Sequence, residues 1–233
     1  MSIGRFYIIL LHILLVVMLV KSDFILRVKE KLGITNYGYE HYRYSLFSQK
    51  MVDKNMKKGS IVFIGDSMIE GLCTSCIVNN SINYGIGGDG TIGVINRVKE
   101  YTFLKDASAI VLEIGINDMP YLDNETIIKN YKKILNSIPK NIPIIINSIF
   151  PIDESINMFR YGHNKRIREL NNELKKLSQK SPNYNFLDIF DEFLDKNNNL
   201  SKELHIGDGI HLNEIGYDKW IRKLKEIIDD KIR

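Results

Sequence analysis

Short apolar runs alternate with amphipathic segments along most of the chain, and this alternation limits the possible folds more than any other feature. Five runs rich in β-branched residues lie at 60–64, 82–84, 109–114, 142–148 and 185–189. Segments with helical spacing of apolar residues lie between and after them, at 93–101, 125–137, 165–178 and 214–232. Strands that alternate with helices form a parallel sheet that is covered on both faces. The sequence therefore predicts an α/β fold with a five-stranded parallel sheet.

The size of the chain fits one such domain. With 233 residues, of which 44% are hydrophobic, it is long enough to bury one substantial core. We predict a main domain at 59–233 and a helical lead-in at 24–58. In the lead-in, the spacing of Tyr39, Tyr42, Leu46 and Phe47 predicts an amphipathic helix packed on the main domain.

The net charge of +4 is spread over stretches that carry both lysines and carboxylates. Solvated helix faces explain this pattern better than a nucleic-acid surface, which would show clustered arginines with interleaved aromatic residues. We therefore expect no nucleic-acid partner.

The N-terminal residues 1–23 contain an apolar run at 6–20 that only His12 interrupts. As a helix the run would span roughly 22 Å, less than the ~30 Å of a hydrocarbon core, so a signal peptide and a short membrane anchor both fit. A buried core helix is the alternative. We expect an N-terminal hydrophobic helix and an exported protein that stays at the cell envelope or membrane through 6–20, or is secreted if the segment is cleaved.

The two cysteines, Cys73 and Cys76, are separated by two residues. In an exported protein they can form a local disulfide. The spacing also permits a redox role, although the usual strand-then-helix setting is missing. With no adjacent histidine they cannot complete a zinc site, and we predict neither a metal nor a cofactor.

A serine follows the first predicted strand, in the sequence Gly65-Asp66-Ser67-Met68. A serine in that place often only caps a helix. As a nucleophile it needs a base, and the base needs an orienting group. Asp208 and His211 meet both needs, because residues three apart on a turn lie on one face.

Acyl transfer at a serine also requires donors for the oxyanion. Gly88, after the second strand, offers a backbone N–H, and Asn117, after the third, offers a side-chain amide. Taken singly, they are equally an αL glycine and a turn asparagine. Together with Ser67, Asp208 and His211, they predict an oxyanion hole.

Two other enzyme classes are less compatible with the motifs. The segment Gly85-Ile86-Gly87-Gly88-Asp89-Gly90 matches a dinucleotide-binding fingerprint, with Glu113 one strand later as the ribose ligand. That interpretation leaves the remaining motifs unexplained. The α/β-hydrolase elbow requires glycine at position 69, where this chain has isoleucine.

The four segments around Ser67, Gly88, Asn117 and His211 together resemble the SGNH, or GDSL-type, serine esterase family. The similarity is greatest to the branch of platelet-activating-factor acetylhydrolase catalytic subunits and bacterial acyl esterases. It implies a flavodoxin-like three-layer α/β/α sandwich and ester hydrolysis without metal or cofactor. It further implies Ser67 as nucleophile, His211 as base and Asp208 as orienting carboxylate, with the Ser67 and Gly88 N–H groups and Asn117 in the oxyanion hole. Gly90, where many relatives have threonine, and the cysteine pair depart from the pattern.

We expect a serine esterase that removes a short acyl group, such as acetyl, from a carbohydrate or lipid ester. An O-acyltransferase, a lysophospholipase or thioesterase on the same site, and a surface-tethered binding protein without turnover are the alternatives. Substrate walls in this fold come from loops. The segments 118–124 and 152–162 are interpreted as such loops. The sequence does not specify the oligomeric state.

Overall fold

The computed structural model describes residues 4, 5, 7, 8, 10–14 and 37–232. The chain divides into two compact units, Met1–Arg43 and Tyr44–Arg233. The second unit contains every predicted site residue, so it is the one on which the chemistry depends.

The second unit is built on a parallel sheet of five strands. They are β1 Ile61–Gly65, β2 Ser81–Gly85, β3 Ala109–Glu113, β4 Ile144–Asn147 and β5 Tyr184–Leu187. Their order in the sheet is β2-β1-β3-β4-β5, and every neighbouring pair is parallel. This is the order of flavodoxin-like folds. The predicted five-stranded parallel sheet is confirmed, with strand ends shifted by up to two residues.

Seven helices are described in residues 37–232. They are α1 Tyr37–Asp53, α2 Ser67–Glu70, α3 Thr91–Val98, α4 Asn124–Ser137, α5 Glu154–Tyr161, α6 Asn164–Ser178 and α7 Glu214–Lys231. The four predicted helices correspond to α3, α4, α6 and α7.

Alternate residues of the central strands pack in two separate cores, one on each face of the sheet. From β1, Val62 and Ile64 pack in the core that contains apolar residues of α3, α4 and α6. Ile61 and Phe63 point the other way, into the core that contains α2 and the α7 residue Trp220. The fold is thus a three-layer α/β/α sandwich, as predicted.

Helix α1 has the predicted helical form, but Phe47 does not lie on its buried face. Phe47 is 63% exposed, whereas Gln49 and Asp53 are buried. The Gln49 side-chain amide donates to the Gly85 carbonyl at 2.9 Å, and Asp53 accepts the Thr102 N–H at 2.8 Å. The helical spacing was therefore correct, and the buried polar side chains of α1 bind the backbone at the end of β2 and at Thr102.

The segment interpreted as a loop at 152–162 contains a helix, α5, and that prediction was wrong. Asp153 begins the helix by accepting the Ser155 N–H at 2.9 Å, and Gly162, at φ +83°, follows its last residue. Because Asp at the N-cap and glycine at the C-terminal end are ordinary helix boundaries, the signals were present in the sequence.

The predicted N-terminal hydrophobic helix falls largely outside the described residues. Of its run at 6–20, residues 7, 8 and 10–14 are described, and they are helical. Among the described residues, no helix combines the length and hydropathy needed to cross a bilayer.

Candidate active site

Three of the predicted site residues follow the carboxyl ends of three adjacent strands. Ser67 lies after β1, Gly88 after β2 and Asn117 after β3. The chain passes from β1 to β2 on one side and then to β3 on the other, so strand order reverses at this point. Open α/β sheets bind ligands at such a crevice.

Ser67 is the first residue of α2 and is half-buried. The preceding Asp66 caps this helix, since its Oδ1 accepts the Met68 N–H at 3.0 Å. The Ser67 Oγ lies 2.9 Å from Nε2 of His211, within hydrogen-bond distance. The structure therefore brings together two residues that are far apart in the sequence.

Asp208 holds the other side of the His211 ring. Its Oδ2 lies 2.5 Å from His211 Nδ1, and its Oδ1 accepts the N–H groups of Ile210 at 3.0 Å and His211 at 2.9 Å. Partial burial raises the pKa of Asp208, but these hydrogen bonds outweigh it and leave the pKa below its ordinary value. The ionised carboxylate fixes the proton on Nδ1, so Nε2 is free to accept the serine proton.

Potential oxyanion donors lie at the same carboxyl end of the sheet as Ser67. The Asn117 amide donates one N–H to the Asp89 carbonyl at 2.9 Å, which fixes its orientation and leaves the second N–H available. Gly88 adopts φ +74° and is exposed, and no described residue accepts its N–H. The N–H of Ser67 is at the first position of α2, where helices leave such groups unpaired.

A buried arginine connects the strand ends that carry these groups. Arg97 of α3 is fully buried and donates to the Asp89 carboxylate at 2.8 Å. It also donates to the carbonyls of Gly65 at 2.8 Å and Tyr84 at 2.7 Å. The ends of β1 and β2 and the Asp89 carboxylate are therefore held by one guanidinium group. Arg97 was not predicted as a site residue, because in the sequence it is only a basic residue on an amphipathic helix.

The N-terminus of α3 is occupied by carboxylates, which argues against dinucleotide binding. Asp118 accepts the Thr91 N–H at 2.8 Å, and Asp89 accepts the Gly90 N–H at 2.9 Å. Burial raises the pKa of both carboxyl groups. A pyrophosphate would need these same N–H groups and would meet two acidic side chains. The remaining member of that fingerprint, Glu113, is buried within β3.

Asp66, which precedes Ser67, and Glu113, the last residue of β3, are two further buried carboxyl groups. Burial is the main reason that the pKa of Asp66 rises to about 7. Burial and the neighbouring Asp66 raise the pKa of Glu113 well above its ordinary value. Asp66 Oδ2 and Glu113 Oε2 are buried without a hydrogen-bond partner among the described residues. A proton is therefore retained in this pair at a pH where free carboxyl groups are ionised.

Cys73 and Cys76 are joined by a disulfide bond shortly after α2. Of the two roles considered for the pair, the bridge is the one that the structure contains.

A small apolar cleft is lined by residues that include chain neighbours of Ser67, Asn117 and His211. Its lining residues are Met68, Ile116, Phe150, Pro151, Ile152 and Ile210, and its volume is about 10 Å³. Met68, Ile116 and Ile210 are the immediate chain neighbours of Ser67, Asn117 and His211, respectively. A larger cavity of about 490 Å³ lies at α5 and α6, but no predicted site residue lines it. The sequence analysis did not identify the cleft, because its walls come from four separate segments.

This fold, with Ser67, His211 and Asp208 in contact at the strand ends, defines the class of SGNH, or GDSL-type, ester hydrolases. The model of the GDSL-like Lipase/Acylhydrolase family matches residues 63–219, and the chain belongs to that family.

The similarity to known proteins covers most of the chain. Platelet-activating factor acetylhydrolase IB subunit alpha1 of Homo sapiens is 24% identical over 195 residues, which are 79% of this chain and 81% of that protein. A solved structure of a candidate platelet activating factor from Streptococcus pneumonia has a TM-score of 0.74 at 21% identity and covers 91% of this chain and 100% of its own. The acetyl xylan esterase AlAXEase has a TM-score of 0.59 at 22% identity, covering 72% and 99%. The two structures share the fold.

Proposed function

We propose that this GDSL-family enzyme hydrolyses short-chain acyl esters through an acyl-enzyme on Ser67. The single observation that carries the proposal is the continuous contact from Ser67 Oγ to His211 Nε2 and from His211 Nδ1 to Asp208. This arrangement activates a serine hydroxyl in serine hydrolases of unrelated folds. It is intact here, which favours turnover over a binding protein that has lost its chemistry.

Acylation begins when Ser67 Oγ attacks the ester carbonyl carbon and His211 Nε2 takes the hydroxyl proton. The carbonyl oxygen becomes an oxyanion that accepts hydrogen bonds from the N–H groups of Ser67 and Gly88 and from the Asn117 amide. Each such donor is worth roughly 2.7 to 4 kcal/mol of transition-state stabilisation in serine hydrolases. The intermediate then loses the leaving-group alkoxide, which receives the proton from His211.

Deacylation repeats the same steps with water as nucleophile. His211 Nε2 removes a proton from the water that attacks the acyl carbonyl, and the second tetrahedral intermediate expels Ser67 Oγ. His211 returns the proton to the serine oxygen. The products are the alcohol and the short carboxylic acid, and Asp208 remains ionised throughout.

The cleft beside Ser67 supports a short acyl group. A volume of about 10 Å³ is close to one water-sized sphere, so the cleft suits one small group better than a long acyl chain. The chain of a fatty acyl ester would displace the buried side chains of Phe150 and Ile152. We therefore place the acyl group in the cleft and assign acetyl esters as the preferred substrates over those of lysophospholipids.

The alcohol part of the ester is proposed to be a carbohydrate or a lipid. Two similar proteins are named for their action on acetyl groups. They are a platelet-activating factor acetylhydrolase subunit and an acetyl xylan esterase. Their names support acetyl removal, and they differ in the molecule that carries the acetyl group.

The test is hydrolysis of p-nitrophenyl esters of increasing acyl length by the wild-type protein and by Ser67→Ala. We expect kcat/KM to be highest for acetate and to fall steeply from butyrate onwards, and Ser67→Ala to be inactive on all esters. A preference for octanoate would refute the assignment of the cleft, and an active Ser67→Ala would refute the mechanism.

We also propose export, with residues 6–20 as a signal peptide or membrane anchor. The apolar composition of that run supports this, and the Cys73–Cys76 disulfide is typical of oxidising compartments. Cell fractionation with an alkaline wash, followed by N-terminal sequencing, tests it. An intact N-terminus in the soluble cytoplasmic fraction is the result that rejects export.

A further inference from the structure

A second histidine, His205, lies under the loop that carries Asp208 and His211. Its side chain is 3% exposed. His205 and Leu212 form an antiparallel bridge at the base of the loop, and the Ile206 N–H donates to the His211 carbonyl at 2.9 Å. The proposed reaction steps do not use His205, so its burial there calls for another explanation.

One ring nitrogen of His205 binds the backbone on both sides of Asp208. Its Nδ1 accepts the N–H of Gly207 at 3.0 Å and the N–H of Gly209 at 3.2 Å. A nitrogen that accepts hydrogen bonds carries no proton, so the neutral ring has its proton on Nε2. The imidazole in this form is a clamp on the peptide segment that presents Asp208.

The other ring nitrogen faces a buried carboxylate. His205 Nε2 lies 3.8 Å from Asp153 Oδ2, and both side chains are almost fully buried. Neither atom has a hydrogen-bond partner among the described residues. The separation is longer than a hydrogen bond, and a small approach of the two groups would join the Nε2 proton to the carboxylate. Asp153 therefore favours the tautomer that leaves Nδ1 free to accept.

Residues at and near the start of α5 hold the same loop as well. The Asp153 N–H donates to the Gly209 carbonyl at 2.8 Å, and the Asn157 amide donates to the Asp208 carbonyl. Gly209 adopts φ +76°, and a Cβ there would lie 3.1 Å from Cβ of Asp153. The backbone at Gly207 to Gly209 is thus fixed between His205 and α5, with only the Asp208 side chain directed to His211.

We infer that His205, oriented by Asp153, is a positioning residue that keeps Asp208 in contact with His211. The inference rests on the proposed roles of Ser67, Asp208 and His211. Loss of the Nδ1 acceptor would leave two glycine N–H groups unpaired and would release the loop. Because His205 does not contact the proposed acyl cleft, the effect should fall on kcat and not on KM.

Three substitutions separate the acceptor from the bulk of the ring. The side-chain oxygen in His205→Asn can lie where Nδ1 lies, whereas the polar group in His205→Gln reaches the Nε2 position and His205→Leu has no acceptor. With p-nitrophenyl acetate, we expect kcat to fall about 10- to 100-fold in the Gln and Leu variants, with KM within about twofold of wild type. The Asn variant should keep most of kcat.

A double-mutant cycle with Asp208→Asn distinguishes positioning from general stability. If His205 acts through Asp208, His205→Leu should cost much less kcat in the Asp208→Asn background than in wild type. Independent effects that multiply would overturn the inference, as would equal kcat in the Asn and Gln variants. If the Leu variant does not fold, the Asn and Gln variants, alone and combined with Asp208→Asn, decide the question.

Ser67→Ala, assayed in parallel, separates this inference from the proposed function. An active Ser67→Ala would refute the proposed function itself. An inactive Ser67→Ala together with a fully active His205→Gln would refute only the positioning role of His205.

Discussion

At the scale of single residues, the site depends on side chains that bind the backbone with one polar group and serve the site with another. Asp208 accepts two backbone N–H groups with one oxygen and the His211 ring with the other. Asn117 donates one N–H to the Asp89 carbonyl, and its second N–H is the proposed oxyanion donor. The backbone contacts fix the rotamer before substrate arrives, which is the preorganisation that oxyanion stabilisation and proton transfer require.

Asp208→Asn should lower kcat for p-nitrophenyl acetate by about 10³- to 10⁴-fold, because an amide does not hold the His211 proton on Nδ1. KM should change little. Asp195→Asn is the matched control, since Asp195 also accepts backbone N–H groups, those of Asn197 and Asn199, but does not contact His211. Steady-state kinetics of both variants would contradict the role of Asp208 if their kcat values were equal.

Ile210→Ala should widen the proposed acyl cleft. Ile210 is the most exposed of the buried isoleucines that line it, so the substitution enlarges the space at modest cost in stability. The ratio of kcat/KM for butyrate over acetate should rise about tenfold, as expected for one or two additional methylene groups in an apolar pocket. Ile206→Ala, in the same loop but 65% exposed, is the control and should leave the ratio unchanged. An unchanged ratio in Ile210→Ala would place the acyl group elsewhere.

At the scale of the elements, two buried polar contacts hold the strand ends together. Asp66 caps α2 directly after β1, and Arg97 of α3 binds the carbonyls at the ends of β1 and β2. Both contacts place an ionisable group in the interior, so both couple the geometry of the site to the stability of the fold.

Asp66→Asn should become more stabilising relative to wild type as the pH rises. The pKa of Asp66 is about 7 in the folded protein against 3.8 ordinarily, so the folded state retains a proton that the unfolded state releases. Wild-type stability from this group therefore falls as the pH rises between these two values. Asparagine keeps the cap and does not titrate. Urea unfolding at about pH 5 and about pH 8 measures the difference.

Asp66→Ala is the control for the cap. It also removes the titration but should be about 1 kcal/mol less stable than Asp66→Asn at both pH values, because it cannot accept the Met68 N–H. Parallel pH profiles for wild type and Asp66→Asn would show that the raised pKa is absent.

Arg97→Met should reduce the free energy of unfolding by about 3 to 5 kcal/mol, because it leaves the buried Asp89 carboxylate without its partner. The kcat should also fall, since the Asp89 carbonyl orients Asn117. The double variant Arg97→Met/Asp89→Asn should recover part of the lost stability. Urea unfolding of both variants would contradict this account if Arg97→Met cost less than about 1 kcal/mol.

At the scale of the whole molecule, the features that could be predicted from the sequence are those that short-range periodicity and strand order determine. The positions of Ser67, Gly88 and Asn117 after successive strands were sufficient to place them at one edge, because parallel strands end on the same side. The Asp208–His211 contact followed from their spacing of three residues.

Long-range contacts without a local pattern were not predictable in this way. His205 is an isolated histidine in a polar stretch, and its burial depends on α5 and on the glycines that it binds. Phe47 was expected in the interior because it is apolar, yet Gln49 and Asp53 are buried, where they bind backbone groups of Gly85 and Thr102. In both cases the partners come from distant parts of the chain.

The whole account depends on the activation of one hydroxyl by the convergence of three strand ends with the loop of His211. Labelling of the folded wild-type protein with a fluorophosphonate probe, followed by peptide mass spectrometry, tests this directly. We predict a single modification on Ser67, lost in Ser67→Ala and slowed in Asp208→Asn in proportion to kcat. Labelling of another residue, or an unlabelled Ser67 in protein that hydrolyses p-nitrophenyl acetate, would contradict the central claim.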